Sequence, residues 1–287
     1  MNLETFISAN ANAIRLGAFL GVFAVMAVWE VMAPRRSLHA RKLVRWINNI
    51  GLVMLNTLVL RRVFPAAALG VATWAGAQGV GLFNRIDAPH WVGVTLSLLL
   101  LDFAIWLQHV MFHAIPLLWR LHRVHHADLD IDVTTGARFH PLEILLSMLI
   151  KFTVILLLGP PLVAVVLFEV ILNATAMFNH SNVKLGRVPD RLLRSILVTP
   201  DMHRVHHSIE DDETNSNFGF NLSWWDRLFG TYRAQPRATH EAMTIGISTF
   251  REPRWCSWLP GMLAIPFVGR VRDYAINRRR WGRDGES

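Results

Sequence analysis

The pentapeptide His122-Arg123-Val124-His125-His126 recurs later in the chain as His203-Arg204-Val205-His206-His207. Each copy has the spacing HxxHH, which gathers its three imidazoles on one face of a helix, because residues three and four positions apart are neighbours there. A third pair, His109 and His113, is spaced i, i+4 at the end of an apolar segment and shares this property. These three histidine boxes therefore predict a site built on helix surfaces.

Clustered neutral imidazoles indicate a metal centre, since imidazole binds iron, copper, zinc and nickel. A structural zinc site is usually closed by four ligands, and the boxes hold more histidines than one ion needs. We therefore predict two metal ions shared among the boxes, with open positions at which a redox metal binds O₂. The competing interpretations are structural zinc and ordinary surface histidines. The second of these better explains the isolated His39, His90 and His240.

Several residues near the boxes are predicted to complete the site. His180 is predicted to be a ninth ligand. His140 is predicted to support the site or the local fold rather than bind a metal directly. Glu143 is close to His140 in sequence, and Asp201, two residues before His203, is predicted either to orient an imidazole or to cap a helix. Other carboxylates that could accept an imidazole N–H are Asp102, Asp128, Asp130, Asp132 and Asp226.

The composition is typical of a membrane protein, with 52% hydrophobic and only 17% charged residues. Four apolar regions stand out, at about 13–33, 47–83, 91–108 and 142–178. The first is interpreted as a retained span rather than a signal peptide. The second is too long for one simple helix, and Arg61 and Arg62 interrupt it. It is either one tilted span with an interfacial piece or two half-length helices.

The fourth region is predicted to be a helical hairpin, because Gly159-Pro160-Pro161 divides it into two apolar arms. A hairpin returns the chain to the side it left, so His140 and His180 should lie on the same membrane face. Lys151 inside the first arm is costly in lipid and must face protein or reach the interface. The run from Trp258 to Val271 is too short to cross and is predicted to lie in the interface.

The net charge of +8 raises the question of nucleic-acid binding. The basic residues, however, form short clusters beside apolar segments, as at 35–45, which is typical of cytoplasmic loops of membrane proteins. We therefore predict no nucleic-acid partner. The same rule places the 35–45 cluster and the basic tail after Arg272 in the cytoplasm. The single cysteine, Cys256, excludes an internal disulfide.

The three boxes resemble those of the fatty acid hydroxylase/sterol desaturase superfamily, whose pattern is HxxxH, HxxHH and a distant HxxHH. The surrounding sequence is also similar: Leu118-Trp119-Arg120-Leu121 precedes the second box, Phe139-His140-Pro141-Leu142-Glu143 resembles the linking segment, and 225–232 resembles the C-terminal signature. The resemblance covers about residues 90–235.

The resemblance implies an all-α membrane bundle of about four spans, with a cytosolic helical cap that carries a di-iron site. The ligands would be His109, His113, His122, His125, His126, His180, His203, His206 and His207. The domains would be 1–85 (membrane spans and basic loop), 86–240 (catalytic, with the 142–178 hairpin) and 241–287 (interfacial segment and basic tail). Zinc could replace iron in a purified protein.

The implied activity is O₂-dependent hydroxylation or desaturation of a lipid, whether fatty acyl, sterol, amino-acid or ether lipid. Electrons would come from a separate cytochrome b5-like or ferredoxin-like donor. Arg120, Arg123 or Arg204 would hold an anionic headgroup, and Trp224 and Trp225 would seal the site. A membrane metal-binding or metal-transport protein without oxygenase activity is the alternative. The sequence does not distinguish hydroxylation from desaturation.

Overall fold

The computed structural model describes residues 3–271, so the predicted basic tail after Arg272 lies outside the described residues. This part of the chain is all-helical and contains only isolated β-bridges. The helices are α1 (Leu3–Ala9), α2 (Ala11–Met32), α3 (Lys42–Val63), α4 (Ala67–Ala77), α5 (His90–Ala114), α6 (Pro116–His126), α7 (Pro141–Leu158), α8 (Leu162–His180), α9 (Arg187–Leu193), α10 (Pro200–His206), α11 (Asp211–Thr214), α12 (Trp224–Leu228), α13 (Pro253–Cys256) and α14 (Leu259–Ala264).

Within residues 3–271, five helical segments are long and apolar enough to cross a membrane: 11–32, 42–84, 90–114, 141–158 and 162–180. This is one more than the predicted number of about four. Much of their apolar surface faces outward, as expected for helices that contact lipid. The all-helical membrane architecture predicted from the sequence is therefore present.

The second apolar region consists of one full-length helix and one short helix. α3 has 22 residues, about 33 Å of helix, and carries Arg61 and Arg62 in its last turn. It ends at Val63, just before Phe64-Pro65, because a residue that precedes proline avoids the helical conformation. α4 has 11 residues and buries Ala68 and Ala72, in a cluster shared with α5, α7 and α8. Two half-length helices, one of the two alternatives, are not observed.

The predicted hairpin is formed by α7 and α8. Gly159 ends α7 with a positive φ of 58°, and a Cβ on Gly159 would lie 2.4 Å from Asn84 Nδ2. Only glycine fits this turn. α7 packs mainly on α3, α4 and α5, whereas α8 packs mainly on α2, α5 and α10. The two arms therefore frame a space between them.

Lys151 is neutralised within the helical bundle. Its ammonium lies 3.3 Å from Glu169 on α8, and Arg15 on α2 forms an ion pair with the same carboxylate. The costly charge of α7 thus faces protein, as intramembrane charges usually do.

A buried ionic network joins α3 to the segment that follows the second box. Arg45, at the start of α3, is fully buried and binds Asp128 (2.7 Å) and Asp132 (2.5 Å). Burial by itself would raise the pKa of Asp128, but the positive charges of Arg45 and Arg138 lower it to about 2. The network holds the segment that follows the second box against α3.

The run from Trp258 to Val271 packs partly against α6. Met262 and Ile265 are buried in a core cluster with Trp119 and Val124 of α6, whereas Trp258 and Phe267 are exposed. This segment, which was predicted to lie in the interface, therefore also packs against the helix that carries the second box. The domain boundaries proposed from the sequence remain predictions.

Candidate metal centre

The three boxes are carried by helix ends that meet on one side of the bundle. His109 and His113 lie in the last turns of α5, and the second box forms the end of α6. Pro116 and Pro200 occupy first-turn positions of α6 and α10, where a missing N–H is tolerated. His180 is the last residue of α8.

The third box lies on α10, whose N-terminal cap is Thr199. Its hydroxyl accepts a hydrogen bond from Met202 N at 3.4 Å. The alternative of Asp201 as the cap is therefore wrong, because Asp201 already lies within the helix. The carboxylate of Asp201 instead contacts Arg35, Arg204 and His240. These contacts are with neighbours of the site rather than with the nine imidazoles.

The nine histidines predicted as ligands are all buried and form two neighbouring groups. Within each group, one ring nitrogen per residue lies within 4.8 Å of the corresponding nitrogen of every other member. The first group is His109, His113, His122, His126 and His206, and the second is His125, His180, His203 and His207. Their role as ligands stays a prediction.

The boxes do not correspond to the groups one by one. The second box contributes His122 and His126 to the first group and His125 to the second, whereas the third box contributes His206 to the first group and His203 and His207 to the second. Adjacent histidines on a helix project about 100° apart, because an α-helix has 3.6 residues per turn. His125 and His126 therefore point into different groups. An HxxHH box is suited to bridging two sites.

Five of the nine imidazoles are oriented by an acceptor at Nδ1. His122 Nδ1 lies 2.6 Å from Glu143 Oε1, a contact that agrees with the prediction of a supporting carboxylate. The other four acceptors are Phe218 O for His109 (2.7 Å), Asn215 Oδ1 for His113 (3.2 Å), Ala176 O for His180 (2.7 Å) and Ser216 O for His206 (2.7 Å). Such acceptors fix the tautomer and leave Nε2 free.

Three of these acceptors lie in the segment 215–218, which was not predicted from the sequence. Asp226 holds this segment by accepting hydrogen bonds from Phe218 N and Gly219 N, both at 2.8 Å. Trp106 of α5 also donates to Asp226, at 3.0 Å. Asp226 was a candidate to orient an imidazole directly. It instead holds the segment whose oxygens orient three imidazoles. The segment lacks a recognisable spacing, so only the fold reveals it.

The donor set fits a metal ion. His109 and His122 each direct Nδ1 to an oxygen, so their unprotonated Nε2 atoms face each other at 3.0 Å. Two lone pairs at that distance repel unless a cation lies between them or nearby. In the second group, His180 Nε2 lies 3.1 Å from His125 Nε2 and 2.9 Å from His203 Nε2.

Protonation does not resolve this repulsion. Burial lowers the pKa of the six imidazoles of the second and third boxes well below the usual value. They are therefore neutral and offer lone pairs at physiological pH. Among residues 3–271, both ring nitrogens of His126 and of His207 are buried without a hydrogen-bond partner. A cation bound in each group would satisfy one nitrogen of each ring.

Several other predicted residues have different contacts. His140 caps α7, and its Nδ1 accepts a hydrogen bond from Leu142 N at 3.2 Å, which agrees with a structural role. Trp224 donates to Ser195 O and Trp225 to Asp102. Neither tryptophan lines the cavity described below, so the structure does not support their sealing the site.

The proposed headgroup arginines are also occupied elsewhere. Arg123 is buried and binds the carbonyls of Ile265 and Val268, while Arg204 binds Asp201 and Ser181 O. Arg120 donates to carbonyls of the 266–269 segment. All three guanidinium groups therefore have partners within the protein, and the structure does not support their holding a headgroup.

A mostly apolar cavity of about 350 Å³ adjoins the first histidine group. It lies between α3, α5, α7 and α8, and its wall includes His109, His122 and Glu143. From there it extends along the hairpin arms to Lys151 and Glu169. Its volume is in the range of small-molecule sites. An elongated apolar molecule placed here would lie beside the imidazoles and among the membrane-length helices.

Comparisons with known proteins agree with this arrangement. Residues 94–231 match the fatty acid hydroxylase family. The chain is 28% identical to ornithine lipid hydroxylase OlsE from Rhizobium tropici over 91% of its own length and 78% of that protein. It is 31% identical to human alkylglycerol monooxygenase, over 59% of this chain and 37% of that protein.

A rice very-long-chain aldehyde decarbonylase is 26% identical over 61% of this chain and 66% of its own length. No solved structure gives a significant match. The family match spans all three boxes and His180. The boxes, the buried imidazole groups and this match together identify residues 94–231 as a fatty acid hydroxylase domain.

Proposed function

We propose that this protein is a membrane oxygenase that uses O₂ and a di-iron centre to hydroxylate or desaturate a lipid. One observation carries the proposal: buried imidazoles form neighbouring groups of five and four, and the group of five adjoins an apolar cavity between membrane-length helices. Acid–base side chains cannot attack an unactivated C–H bond, whereas a redox metal with O₂ can. The position of the cavity favours a lipid chain as the substrate.

The five-histidine group would hold one iron and the four-histidine group the other. When bound, the irons would supply O₂ activation, and zinc could occupy the same imidazoles in a purified protein. Glu143 keeps the His122 ring in one orientation through the 2.6 Å contact. The ring of Phe139 stacks on the His125 ring, with the two ring centroids 4.4 Å apart. It would help to exclude water from the imidazoles on the side of the cavity.

The lipid class is suggested by the relatives, whose names refer to ornithine lipids, alkylglycerols and very-long-chain aldehydes. We propose a fatty acyl, sterol, amino-acid or ether lipid. A separate cytochrome b5-like or ferredoxin-like protein would supply electrons. The positive-inside rule favours a cytoplasmic histidine site. The basic residues at 35–45 join α2 to α3, and Arg45 binds Asp128 in the segment that follows the second box.

The alternative of a metal transporter is less favoured. Transporters usually bind their ions near the bilayer midplane between discontinuous helices. Here the histidines lie at the ends of α5, α6, α8 and α10. The relatives are also enzymes by name.

Metal content and oxygen consumption test the proposal. Protein purified without a histidine tag from iron-replete cells should contain two irons per chain and consume O₂ when reduced. His125→Ala should abolish turnover, whereas the control His39→Ala, at an exposed imidazole, should not. Less than about one iron per chain with no O₂ consumption would exclude the oxygenase, since nine buried histidines exceed the demand of one ion.

The product distinguishes the two reactions. Lipid mass spectrometry of cells with and without the protein should show either a gained oxygen or the loss of two hydrogens. The first result means hydroxylation and the second desaturation.

A further inference from the structure

Two side-chain amides on the cavity wall present oxygens without a hydrogen-bond donor. Asn56 of α3 and Gln108 of α5 both line the cavity. Asn56 Oδ1 and Gln108 Oε1 are buried, and neither has a partner in the structure. A buried acceptor without a donor is unfavourable, so such atoms in a cavity usually meet a ligand or an ordered water.

The orientation of the Asn56 amide is set by its neighbour. Asn56 Nδ2 donates to the backbone carbonyl of Phe139 at 2.8 Å. A carbonyl can only accept, so the nitrogen must face Phe139 and the oxygen is the free atom. In the orientation that the structure gives the Gln108 amide, Nε2 donates to the Ser147 hydroxyl at 2.8 Å and Oε1 is the free atom.

Two side-chain donors of the same wall are paired, since Thr57 donates to Val53 O at 2.9 Å and Asn173 donates to Glu169 O at 2.8 Å, each within its own helix. Among the described wall residues, the buried side-chain atoms without any partner are all oxygens, those of Asn56, Gln108 and Glu143. This asymmetry favours a ligand that carries an N–H or O–H group over an ester or a plain hydrocarbon.

Both free oxygens lie close to the histidine groups. Asn56 holds Phe139, whose ring stacks on His125 at 4.4 Å. Ser147, the partner of Gln108, follows Glu143 by one helical turn, which is about 6 Å along α7. Glu143 in turn contacts His122 at 2.6 Å. A donor bound to these oxygens would therefore sit near the carbon that is oxidised.

We propose that Asn56 and Gln108 form a recognition subsite for a hydrogen-bond donor of the lipid, either an amide N–H or a hydroxyl, next to the reacting carbon. The inference rests on the proposed function and narrows its substrate class. It selects lipids with an amide or hydroxyl group near the oxidised position over simple acyl esters.

A matched pair of probes tests this subsite. N-methyl palmitamide and methyl palmitate differ chiefly in N–H against O, and hexadecylglycerol presents hydroxyl donors on a chain of the same length. Affinities are measured by titration calorimetry on iron-loaded protein in detergent, with partition into protein-free micelles subtracted. The wild type should prefer the amide over the ester by about 5- to 150-fold, the usual effect of satisfying a buried acceptor. Hexadecylglycerol shows whether hydroxyl donors bind as well.

Asn56→Leu and Gln108→Met should each reduce that preference toward unity, because both keep the side-chain volume and remove the acceptor. Thr57→Val is the matched control, since its hydroxyl is satisfied by its own helix, and the preference should persist. Gln108→Met leaves the hydrogen bond between Asn56 and Phe139 in place. Iron content, measured on each variant, detects a disturbed fold.

Equal affinity of the wild type for amide, ester and hexadecylglycerol would overturn the subsite and leave water as the partner of these oxygens. A preference that survives in both variants would also overturn it. Because the readout is binding, a protein that fails to oxidise lipid but retains the preference would refute the oxygenase alone.

Discussion

The contact between Glu143 and His122 makes a sharp prediction about the two metal groups. Glu143 Oε1 lies 2.6 Å from His122 Nδ1, and His122 belongs only to the five-histidine group. Loss of a hydrogen-bond partner of this kind typically weakens metal binding about 10- to 100-fold, or roughly 1.4 to 2.7 kcal/mol. Glu143→Ala should therefore weaken one iron and spare the other.

Glu143→Gln should have a smaller effect than Glu143→Ala. Glutamine keeps an oxygen that accepts from Nδ1 but lacks the negative charge, and hydrogen bonds to charged groups are stronger than neutral ones. The assay is an iron titration of metal-free protein against a competing chelator, with iron per chain measured at each step. The wild type should load two irons, and Glu143→Ala should show one site at wild-type affinity and one weakened.

Glu169→Gln is the control, because Glu169 is also a buried carboxylate on a membrane-length helix. It lies eleven residues before His180, about 16 Å along α8. Its iron affinities should match those of the wild type. If Glu143→Ala bound both irons normally, or weakened both equally with an unchanged melting temperature, the assignment of His122 to one group would be refuted.

Three further predictions follow from the same structure. His180→Ala should weaken iron binding in the four-histidine group and spare the site that is sensitive to Glu143→Ala. An iron titration in which both variants affect the same site would contradict the division into two groups. Arg45→Met leaves Asp128 and Asp132 buried without their cation, so denaturant melts should show a loss of about 3–5 kcal/mol; a loss below 1 kcal/mol, the usual limit for exposed pairs, would contradict this. Burial raises the pKa of Cys256 from 9.0 to about 11, so its thiol should alkylate at least about 100-fold more slowly than an exposed thiol below pH 9; mass spectrometry that finds rapid labelling of the native protein would show that this core is open.

The Cys256 prediction has a definite sign. The folded-state pKa is raised above the unfolded value, so the contribution of the thiol to stability is complete at neutral pH. That contribution is lost as the pH rises from about 9 toward about 11. Alkylation should therefore accelerate with pH mainly over this interval.

Local features of the sequence predicted the parts of the protein that depend on neighbouring residues. The spacing of His122, His125 and His126 is a property of one helix, and it predicted a metal-binding face without knowledge of packing. The Gly159-Pro160-Pro161 break similarly predicted the hairpin, because glycine and proline act on the adjacent backbone. The structure contains both features.

Only the tertiary structure decided how the histidines divide and what supports them. His125 and His126 are adjacent, yet packing places His125 with His180 of α8 and His126 with His113 of α5. Glu143 and Asp201 were both candidates to support the site, and packing brought only Glu143 to one of the nine predicted ligands. Such contacts join residues far apart in the chain, so they depend on helix packing that no local pattern encodes.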